Sequence, residues 1–238
     1  MKVLALDSSG LVASVAIVEN DCIVGEYTMN YKKTHSQTLL PMLNEVKQMT
    51  ELDLNTIDAI AVAAGPGSFT GLRIGSATAK GLGFALNKPI IPVPTVDGLA
   101  YNMYGWDKII CPLMDARRNQ VYTGLYEFKK DDAEYVLETV QEQCAVDVKE
   151  IIEKINGMNR EVVFLGDGVS VYEDQIKDLV KVPYSFAPAS CNRQRAACIG
   201  VLGMKLYQKG ISQTAAEHAP DYLRLSQAER ERGERLNA

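Results

Sequence analysis

Histidine is scarce in this sequence, and the cysteines form no recognisable pairs. Only His35 and His218 are present, and neither has a neighbouring ligand pattern. Zinc and iron sites draw on closely spaced His, Cys, Asp or Glu residues, so a histidine-based metal pair is excluded. The cysteines are odd in number and lack a C-x-x-C motif, which predicts buried thiols rather than a disulfide framework or a metal site. They are Cys22, Cys111, Cys144, Cys191 and Cys198.

Signals for several other classes of protein are also absent. The apolar run in the N-terminal segment MKVLALDSSG is too short for a signal peptide. No run of about 18 apolar residues occurs that could span a bilayer. We therefore expect a cytoplasmic protein without a membrane partner. No serine lies in a G-x-S-x-G elbow, so nucleophilic hydrolysis has no support from the sequence.

Basic residues are fewer than acidic ones. The chain has 25 Lys and Arg against 30 Asp and Glu, which gives a formal net charge of -5. Direct binding of nucleic acid needs a clustered basic surface that neutralises phosphates, so we expect such binding only through a partner. The 238 residues, of which 47% are hydrophobic, suffice for one large domain or two modest ones.

The most informative segment is the glycine block from Gly65 to Gly75, GPGSFTGLRIG. It follows an apolar run at 57–64 that predicts a buried strand, and it leads into a predicted helix. Backbone amides at such a turn can surround an anion or a close-packed neighbour. The glycines have one residue too many for the dinucleotide fingerprint, and no Gly-Lys-Ser/Thr follows as in a Walker motif. A structural turn and a phosphate-binding loop are both open interpretations.

Small residues recur at every fourth position of the helix that follows. Gly71, Gly75, Ala79 and Gly83 align on one side of it. Because a helical glycine costs roughly 1 kcal/mol relative to alanine, this small-residue stripe indicates close approach of another element. The neighbour belongs either to the same chain or to another subunit.

A preceding helix is predicted from Thr34 to Met49, where Thr34 and Gln37 form a capping box. Apolar residues at helical spacing define its buried face. They are Leu39, Leu40, Leu43, Val46 and Met49.

The pattern of strands and helices occurs twice. A three-strand meander followed by a helix and further alternating elements fills the first 105 residues, and a second meander begins at Ile109. Aligning Asp7 with Asp115 reveals a weak internal repeat. We predict an α/β fold of tandem ribonuclease-H-like halves, the actin-like ATPase (ASKHA) fold, with a reduced second half. The expected subdomains are residues 1–105, which contain both helices described above, and residues 106–238, which end in a charged tail.

In this fold the hairpin after the first strand of each half contacts phosphate, by analogy with actin, Hsp70 chaperones and sugar kinases. The candidate contacts are Asp7, Ser8, Gly65, Gly67, Ser68, Arg73, Asp115 and Arg117. Simpler alternatives exist: Asp7 suits an Asx turn, and Asp115 with Arg117 suits a solvated turn pair. The segment Gly166-Asp167-Gly168 could approach a nucleotide or form a tight turn.

Five segments together resemble the bacterial TsaB (YeaZ) family: LALDSSG, HSQTLLPML, GPGSFTGLRIGSATAKGLGFALNKPI, MDARRNQVY and PDYLRLSQAE. The resemblance runs the length of the chain. It implies a subunit for making threonylcarbamoyladenosine in tRNA, paired with TsaD in a heterodimer that the ATPase TsaE joins. In that complex, threonylcarbamoyl-AMP donates its threonylcarbamoyl group to N6 of the adenosine 3′ to the anticodon. The modified tRNAs read codons that begin with A.

The same resemblance implies that the isolated chain is not an enzyme. In TsaD a similar glycine block is followed by a His-x-x-x-His metal pair, and here Thr95 and Leu99 stand at those positions. Neither side chain is a useful metal ligand, so we expect no catalytic residue, no metal and no cofactor. The tRNA would bind only through the complex. Without TsaD, the groove of the small-residue stripe beside Leu39 and Leu43 would be exposed apolar surface, so we expect the lone chain to form a two-fold homodimer through it.

In the family, the first two helices of each partner form the heterodimer contact. Together with the small-residue stripe, the resemblance predicts an interface made by Leu39, Leu43, Val46, Gly71, Gly75, Ala79 and Gly83. The alternative function is a small phosphotransferase of the acetate or sugar kinase class. That alternative predicts tight Mg-ATP binding, for which the second half is short.

Overall fold

The computed structural model describes residues 1–224, which form two five-stranded sheets with helices on their faces. In the first sheet the strands are β1 (Lys2–Asp7), β2 (Ala13–Glu19), β3 (Cys22–Met29), β4 (Ala59–Gly65) and β5 (Ile90–Pro94). Their order is β3-β2-β1-β4-β5, with β1 antiparallel to β2 and parallel to β4. Both β1 and β4 are buried on both faces, which explains their nearly continuous apolar sequences.

The second sheet repeats the same topology. Its strands are β6 (Ile109–Asp115), β7 (Gln120–Asp131), β8 (Glu134–Asp147), β9 (Val162–Leu165) and β10 (Tyr184–Phe186). Their order, β10-β9-β6-β7-β8, again places a three-strand antiparallel meander beside two parallel strands. The predicted tandem ribonuclease-H-like fold is therefore confirmed.

Six α-helices pack on these sheets within residues 1–224. They are α1 (His35–Met49), α2 (Phe69–Leu86), α3 (Thr95–Ala100), α4 (Val148–Met158), α5 (Gly168–Leu179) and α6 (Ala196–Gln208). One face of the first sheet packs against α1 and α2, and its other face packs against α6. One face of the second sheet packs against α4 and α5, and its other face packs against α3. We call the first sheet with α1 and α2 the first half, and the second sheet with α4 and α5 the second half.

The last helix crosses from the second half to the first. Buried α6 residues such as Ala196 and Ile199 share a core with β1, β2, β4 and β5 of the first sheet. The division into subdomains 1–105 and 106–238 stays a prediction. Helix α6, which belongs to the second of these ranges, packs on the first sheet. The part of the predicted charged tail at 225–238 lies outside the described residues.

After α6, residues 211–224 run back along the first half, and we call them the C-terminal strap. Gln213 exchanges two backbone hydrogen bonds of 2.8 Å with Ile90. Lys80 of α2 donates from Nζ to the carbonyl oxygens of Ala216 and His218, at 3.3 and 2.7 Å. These bonds fix the strap beside β5 and α2. Within the described residues, no helix is long and apolar enough to cross a membrane.

One local prediction differs from the structure. Thr34 precedes α1 as its N-cap, but its side chain makes no capping hydrogen bond, so the predicted capping box does not form. Helix α3 ends at Ala100, and the chain continues as a short 3₁₀ helix, Tyr101–Met103. Helix α2 ends at Asn87, which adopts the left-handed conformation with φ of 51°.

Candidate functional site

A cleft of about 500 Å³ lies between the two halves. Its walls are the turns that follow β1 and β4 in the first half and β6 and β9 in the second, and the end of the C-terminal strap closes one side. The polar residues on these walls include Ser9, Ser68, Thr70, Asp115, Arg117, Asp167, Ser170, Tyr222 and Arg224. Because strand ends from both halves meet here, the cleft is the natural candidate for a binding site.

The glycine block forms a tight joint with the turn after β1. The Ser68 amide donates to the Ser9 carbonyl oxygen at 2.7 Å. A Cβ atom at Gly71 would overlap the Ser8 carbonyl oxygen, and one at Gly75 would lie 2.6 Å from Ser8 Oγ. Glycine is therefore needed at these positions because the β1–β2 turn packs directly on α2. This favours the structural-turn interpretation of the glycine block over the phosphate-binding loop.

Asp7 and Ser8 do not line the cleft. The Asp7 side chain is 1% exposed and accepts hydrogen bonds from the Ser9 amide (2.9 Å) and the Ser9 hydroxyl (2.6 Å). Burial raises the pKa of the Asp7 carboxyl, and the bonds from Ser9 oppose that rise. The Ser8 hydroxyl donates to the Gly71 carbonyl at 2.9 Å. Asp7 therefore forms an Asx turn, the simpler of the two interpretations, and neither Asp7 nor Ser8 contributes to the cleft wall.

Gly65 and Arg73 are also removed from the cleft wall. Gly65 has a φ of 130°, and a Cβ atom there would overlap the Asp221 carbonyl oxygen of the strap. The Asp221 amide donates to the Ala64 carbonyl at 2.7 Å, so the strap covers this end of β4. Arg73 lies on the outside of α2, with its guanidinium 4.1 Å from the centre of the Phe69 ring. Of the eight predicted phosphate contacts, only Gly67, Ser68, Asp115 and Arg117 line the cleft.

In the second half, Asp115 holds its own turn together. Its Oδ1 atom accepts from the Arg117 amide (2.9 Å) and the Tyr172 hydroxyl (3.1 Å), and Arg117 Nη1 lies 3.0 Å from Oδ2. Burial and the nearby Asp115 carboxylate raise the pKa of Tyr172 to about 12. The Arg117 side chain is 82% exposed, so its ion pair adds little stability. The guanidinium remains accessible from the cleft.

The cleft also contains Asp167, from the segment predicted to approach a nucleotide or form a tight turn, and the strap residues Tyr222 and Arg224, which were not predicted. Asp167 is half-buried, and its Oδ1 atom has no hydrogen-bond partner within residues 1–224. Burial raises the pKa of this carboxyl. Tyr222 packs on Phe69 with ring centres 4.7 Å apart, and Arg224 Nη1 donates to the Ala116 carbonyl at 2.7 Å. No sequence pattern links the strap to the cleft, because the chain returns there only through tertiary packing.

The positions compared with metal-binding histidines are occupied by core residues. The Thr95 hydroxyl accepts from the Gly65 amide at 3.1 Å, and Thr95 is fully buried. Leu99 is 1% exposed in the core between α3 and the second sheet. His35 and His218 lie elsewhere and bond to Gly10 and Gln213. Within residues 1–224, no group of three or more His, Cys, Asp or Glu side chains could hold a metal ion.

The residues predicted to contact a partner face the interior of this chain, and the predicted interface stays a prediction. On α1, Leu39, Leu43 and Val46 are 1%, 7% and 6% exposed and pack on the first sheet. The small-residue stripe on α2 is likewise buried: Gly71 and Gly75 meet Ser8, Ala79 lies in the same core, and Gly83 meets Ala215 of the strap. The stripe's close neighbour is therefore within the same chain.

Other large apolar side chains of the same two helices are exposed. Leu40 and Met49 on α1 are 53% and 77% exposed, and Phe84 on α2 is 64% exposed. We call these three residues the outer helix face. Sequence periodicity had grouped Leu40 and Met49 with the buried residues. Leu40 lies at the edge of the buried stripe, and Met49 is the last residue of the helix.

Comparison with known proteins finds relatives that match nearly the whole chain. The family model described as TsaD, tRNA N6-adenosine threonylcarbamoyltransferase, matches residues 22–232. Over 231 residues, covering 96% of both chains, the sequence is 34% identical to the TsaB protein of Bacillus subtilis. It is 30% identical to TsaB of Escherichia coli over 94% of this chain and 95% of the relative. Both relatives are named tRNA threonylcarbamoyladenosine biosynthesis proteins.

A solved structure is similar as well. YeaZ from Pseudomonas aeruginosa is 26% identical and superimposes with a TM-score of 0.73. The similarity covers 93% of this chain and 99% of that one. The shared region therefore includes both halves.

Proposed function

Because the chain belongs to the TsaB family of tRNA threonylcarbamoyladenosine biosynthesis proteins, we propose that it is the non-catalytic, activating subunit of the TsaD-containing complex. In this proposal TsaD transfers the threonylcarbamoyl group from threonylcarbamoyl-AMP to N6 of the adenosine 3′ to the anticodon. TsaE joins the two proteins as the ATPase. The present chain supplies no reacting group.

The burial of Thr95 and Leu99 carries the non-catalytic part of the proposal. Catalysis by a metal pair at these positions would need two ligating side chains aimed at a common point. Instead, the Thr95 hydroxyl is engaged with the Gly65 amide and Leu99 is part of the core. The phosphotransferase alternative has less support, because Asp7, its expected carboxylate, is buried in its own turn.

The outer helix face is the proposed contact with TsaD. Exposed apolar groups on adjacent helices are typical of protein interfaces, and Leu40, Met49 and Phe84 provide them on the two helices that the family uses. The proposed contact lies on the two predicted helices, α1 and α2, but it uses different side chains from those predicted. Contact with tRNA would come through the complex, in keeping with the net charge of -5.

In this proposal the cleft is at most a weak site for a phosphate group. Gly67, Ser68, Asp115 and Arg117 remain candidate contacts for a phosphate group, since they line the cleft and Arg117 is exposed. The adjoining carboxylates of Asp115, Asp167 and Asp221 oppose an anion. We therefore expect weak binding of ATP by the isolated chain, which titration calorimetry would measure.

A transfer assay tests the proposed function. Purified TsaD, TsaE, tRNA and threonylcarbamoyl-AMP are combined with and without this chain, and the modified nucleoside is quantified. We expect product only when TsaD and this chain are both present. Product formed by this chain without TsaD, or one tightly held transition metal per chain by elemental analysis, would contradict the proposal.

A pull-down assay tests the outer helix face separately. Phe84→Asp should weaken capture of TsaD by about tenfold or more, because a charge would be buried against the partner. Val136→Asp is the matched control, since Val136 is a similarly exposed apolar residue on β8. It should leave capture unchanged. Equal capture by both variants would place the TsaD contact elsewhere.

A further inference from the structure

Arginines from three separate segments lie near the cleft. Arg73 is on α2, Arg117 and Arg118 are in the turn after β6, and Arg224 is at the end of the strap. The first three are exposed, and Arg224 is half-buried. A surface that binds phosphates depends on a local cluster of basic side chains, which a net charge of -5 for the whole chain conceals.

Side-chain contacts join these arginines across the two halves. The Arg73 guanidinium lies 4.1 Å from the centre of the Phe69 ring, and Phe69 packs on Tyr222 with ring centres 4.7 Å apart. Two residues later, Arg224 Nη1 donates to the Ala116 carbonyl at 2.7 Å. A continuous surface therefore runs from α2 over the strap to the turn after β6. We call it the basic band, and its residues are Arg73, Arg117, Arg118, Tyr222 and Arg224.

The carboxylates near the basic band are mostly withdrawn from its surface. Among the described residues, three carboxylates line the cleft. The Asp115 side chain is 8% exposed and is already paired with Arg117, and Asp167 is half-buried. Asp221 is exposed beside Tyr222. An anion inside the cleft would meet these carboxylates, whereas an anion that lies along the band would meet mainly guanidinium groups.

The turn that carries Arg117 and Arg118 has an unfavourable backbone. Arg117, Arg118 and Asn119 have φ of 65°, 58° and 58°, in the left-handed region. This conformation is uncommon for residues other than glycine, asparagine and aspartate, because Cβ approaches the carbonyl oxygen. Glycine would adopt it without that steric cost. Two consecutive arginines here are not what the backbone favours, and such outliers occur where side chains are needed for function.

Tyr222 provides a flat surface between the arginines. Its side chain is 38% exposed although one part of it packs on Phe69. Unpaired RNA bases stack on aromatic rings and guanidinium planes, while arginines contact the phosphates. An acidic peptide would pair with the arginines but has no base to stack on the ring. The combination therefore fits unpaired RNA better than it fits an acidic peptide.

We propose that the basic band binds an unpaired segment of the tRNA that the TsaD-containing complex modifies. This inference rests on the proposed function. Phe84 of the outer helix face lies 15 residues after Phe69 on α2, which is about 22 Å along the helix. TsaD bound to the outer helix face would thus leave the band open to tRNA. A band of this size gives only weak binding to the lone chain and adds to the affinity of the complex.

Fluorescence anisotropy with a labelled, unmodified tRNA that reads codons beginning with A tests the band in the complex with TsaD. The double variant Arg117→Gly/Arg118→Gly should weaken binding about tenfold or more. It should also reduce the slope of log affinity against log salt by about 1–2, because phosphate contacts are lost. The variant should stay folded, since glycine adopts the left-handed conformation freely. The matched control is Lys154→Ala/Lys181→Ala, which removes two exposed charges that do not line the cleft and should bind as wild type does.

Substitution of Tyr222 tests the stacking contact. Tyr222→Ala should weaken tRNA binding about tenfold with little change in the salt slope. Tyr222→Phe keeps the ring and should bind as wild type does. Circular dichroism and capture of TsaD are measured for every variant, so that loss of the fold or of the complex is recognised.

Three results would overturn the inference: wild-type tRNA affinity in both the double glycine variant and Tyr222→Ala, an equal loss in the lysine control, or loss of TsaE capture with unchanged tRNA affinity. The last result would assign the band to a protein partner. Failure of the proposed function is distinguishable, because wild-type chain with TsaD would then form no modified nucleoside in the transfer assay.

Discussion

The two halves share a topology but differ at the turn that follows their first strand. In the first half, β1 ends at Asp7, and the next residues pack against the glycines of α2 with their polar groups satisfied inside the chain. In the second half, β6 ends at Asp115, and the next residues stand at the cleft with Arg117 exposed. The same strand order therefore yields a closed joint in one half and an open turn in the other.

The difference arises from the helix that packs behind each turn. The small-residue stripe of α2 lets the Ser8 backbone approach the helix directly. In the second half, Gly166 and Gly168 approach the Leu113 carbonyl instead, which lies within β6 and three residues before Ala116, the counterpart of Ser8. Residues 116–119 are left exposed or half-buried. Fold similarity alone thus does not assign equivalent roles to Asp7 and Asp115.

A large side chain placed where the β1–β2 turn packs on α2 should lower the unfolding free energy more than any other change considered. Gly75→Leu inserts a side chain where Ser8 Oγ would lie 2.6 Å from the new Cβ atom, and we expect a loss of roughly 3 kcal/mol in unfolding free energy. Urea denaturation measures it. Gly81→Leu is the matched control, because Gly81 is exposed on the same helix with open space around it. A stable Gly75→Leu variant would contradict the closed joint.

The same substitution in the turns after β1 and β6 tests whether the first turn is more tightly packed than the second. Ser8 and Ala116 each follow the last residue of the first strand of their half. Ser8→Leu should lower the unfolding free energy by about 1–3 kcal/mol through overpacking against α2. Ala116→Leu should change it by less than about 0.5 kcal/mol, since Ala116 borders the cleft. Similar losses in both variants would show that the two turns are equally packed.

The buried carboxyl of Asp7 predicts a pH dependence. Burial raises its pKa in the folded chain above the ordinary value of 3.8. Its contribution to stability is therefore complete below pH 3.8 and is lost as the pH rises through the folded-state pKa. Asp7→Asn removes this titration. The unfolding free energy of wild type minus that of Asp7→Asn should fall as the pH rises from 3.8. A constant difference would show that the pKa of Asp7 is unshifted, and a rising one that the hydrogen bonds from Ser9 outweigh burial.

Removing a hydrogen bond to the turn after β6 should have the smallest effect on the unfolding free energy. Arg224→Ala removes the hydrogen bond from the strap to the Ala116 carbonyl and should cost about 1 kcal/mol or less. Hydrogen exchange should increase at residues 116–120. Arg117→Ala serves as the comparison, and its effect on stability should be within about 0.5 kcal/mol because the side chain is exposed. Exchange that is unchanged in Arg224→Ala would mean that the strap does not restrain this turn.

The sequence alone determined the order of the elements, the duplication of the meander and the lack of metal ligands at 95 and 99. Each of these depends on local periodicity or on residue type, which the sequence states directly. Asn87 as the end of α2 is an example, since its left-handed conformation follows from the residue and the proline two positions later.

Only the tertiary structure decided which face of each helix packs inside. A stripe of small residues has the same sequence pattern whether its neighbour is the chain's own β1–β2 turn or another subunit, and the core took Gly75 and Leu39 while Leu40 and Phe84 stayed outside. The strap reached the cleft by contacts that join residues more than a hundred positions apart, such as Arg224 with Ala116. Side-chain burial depends on such long-range packing, which periodicity along the chain does not encode.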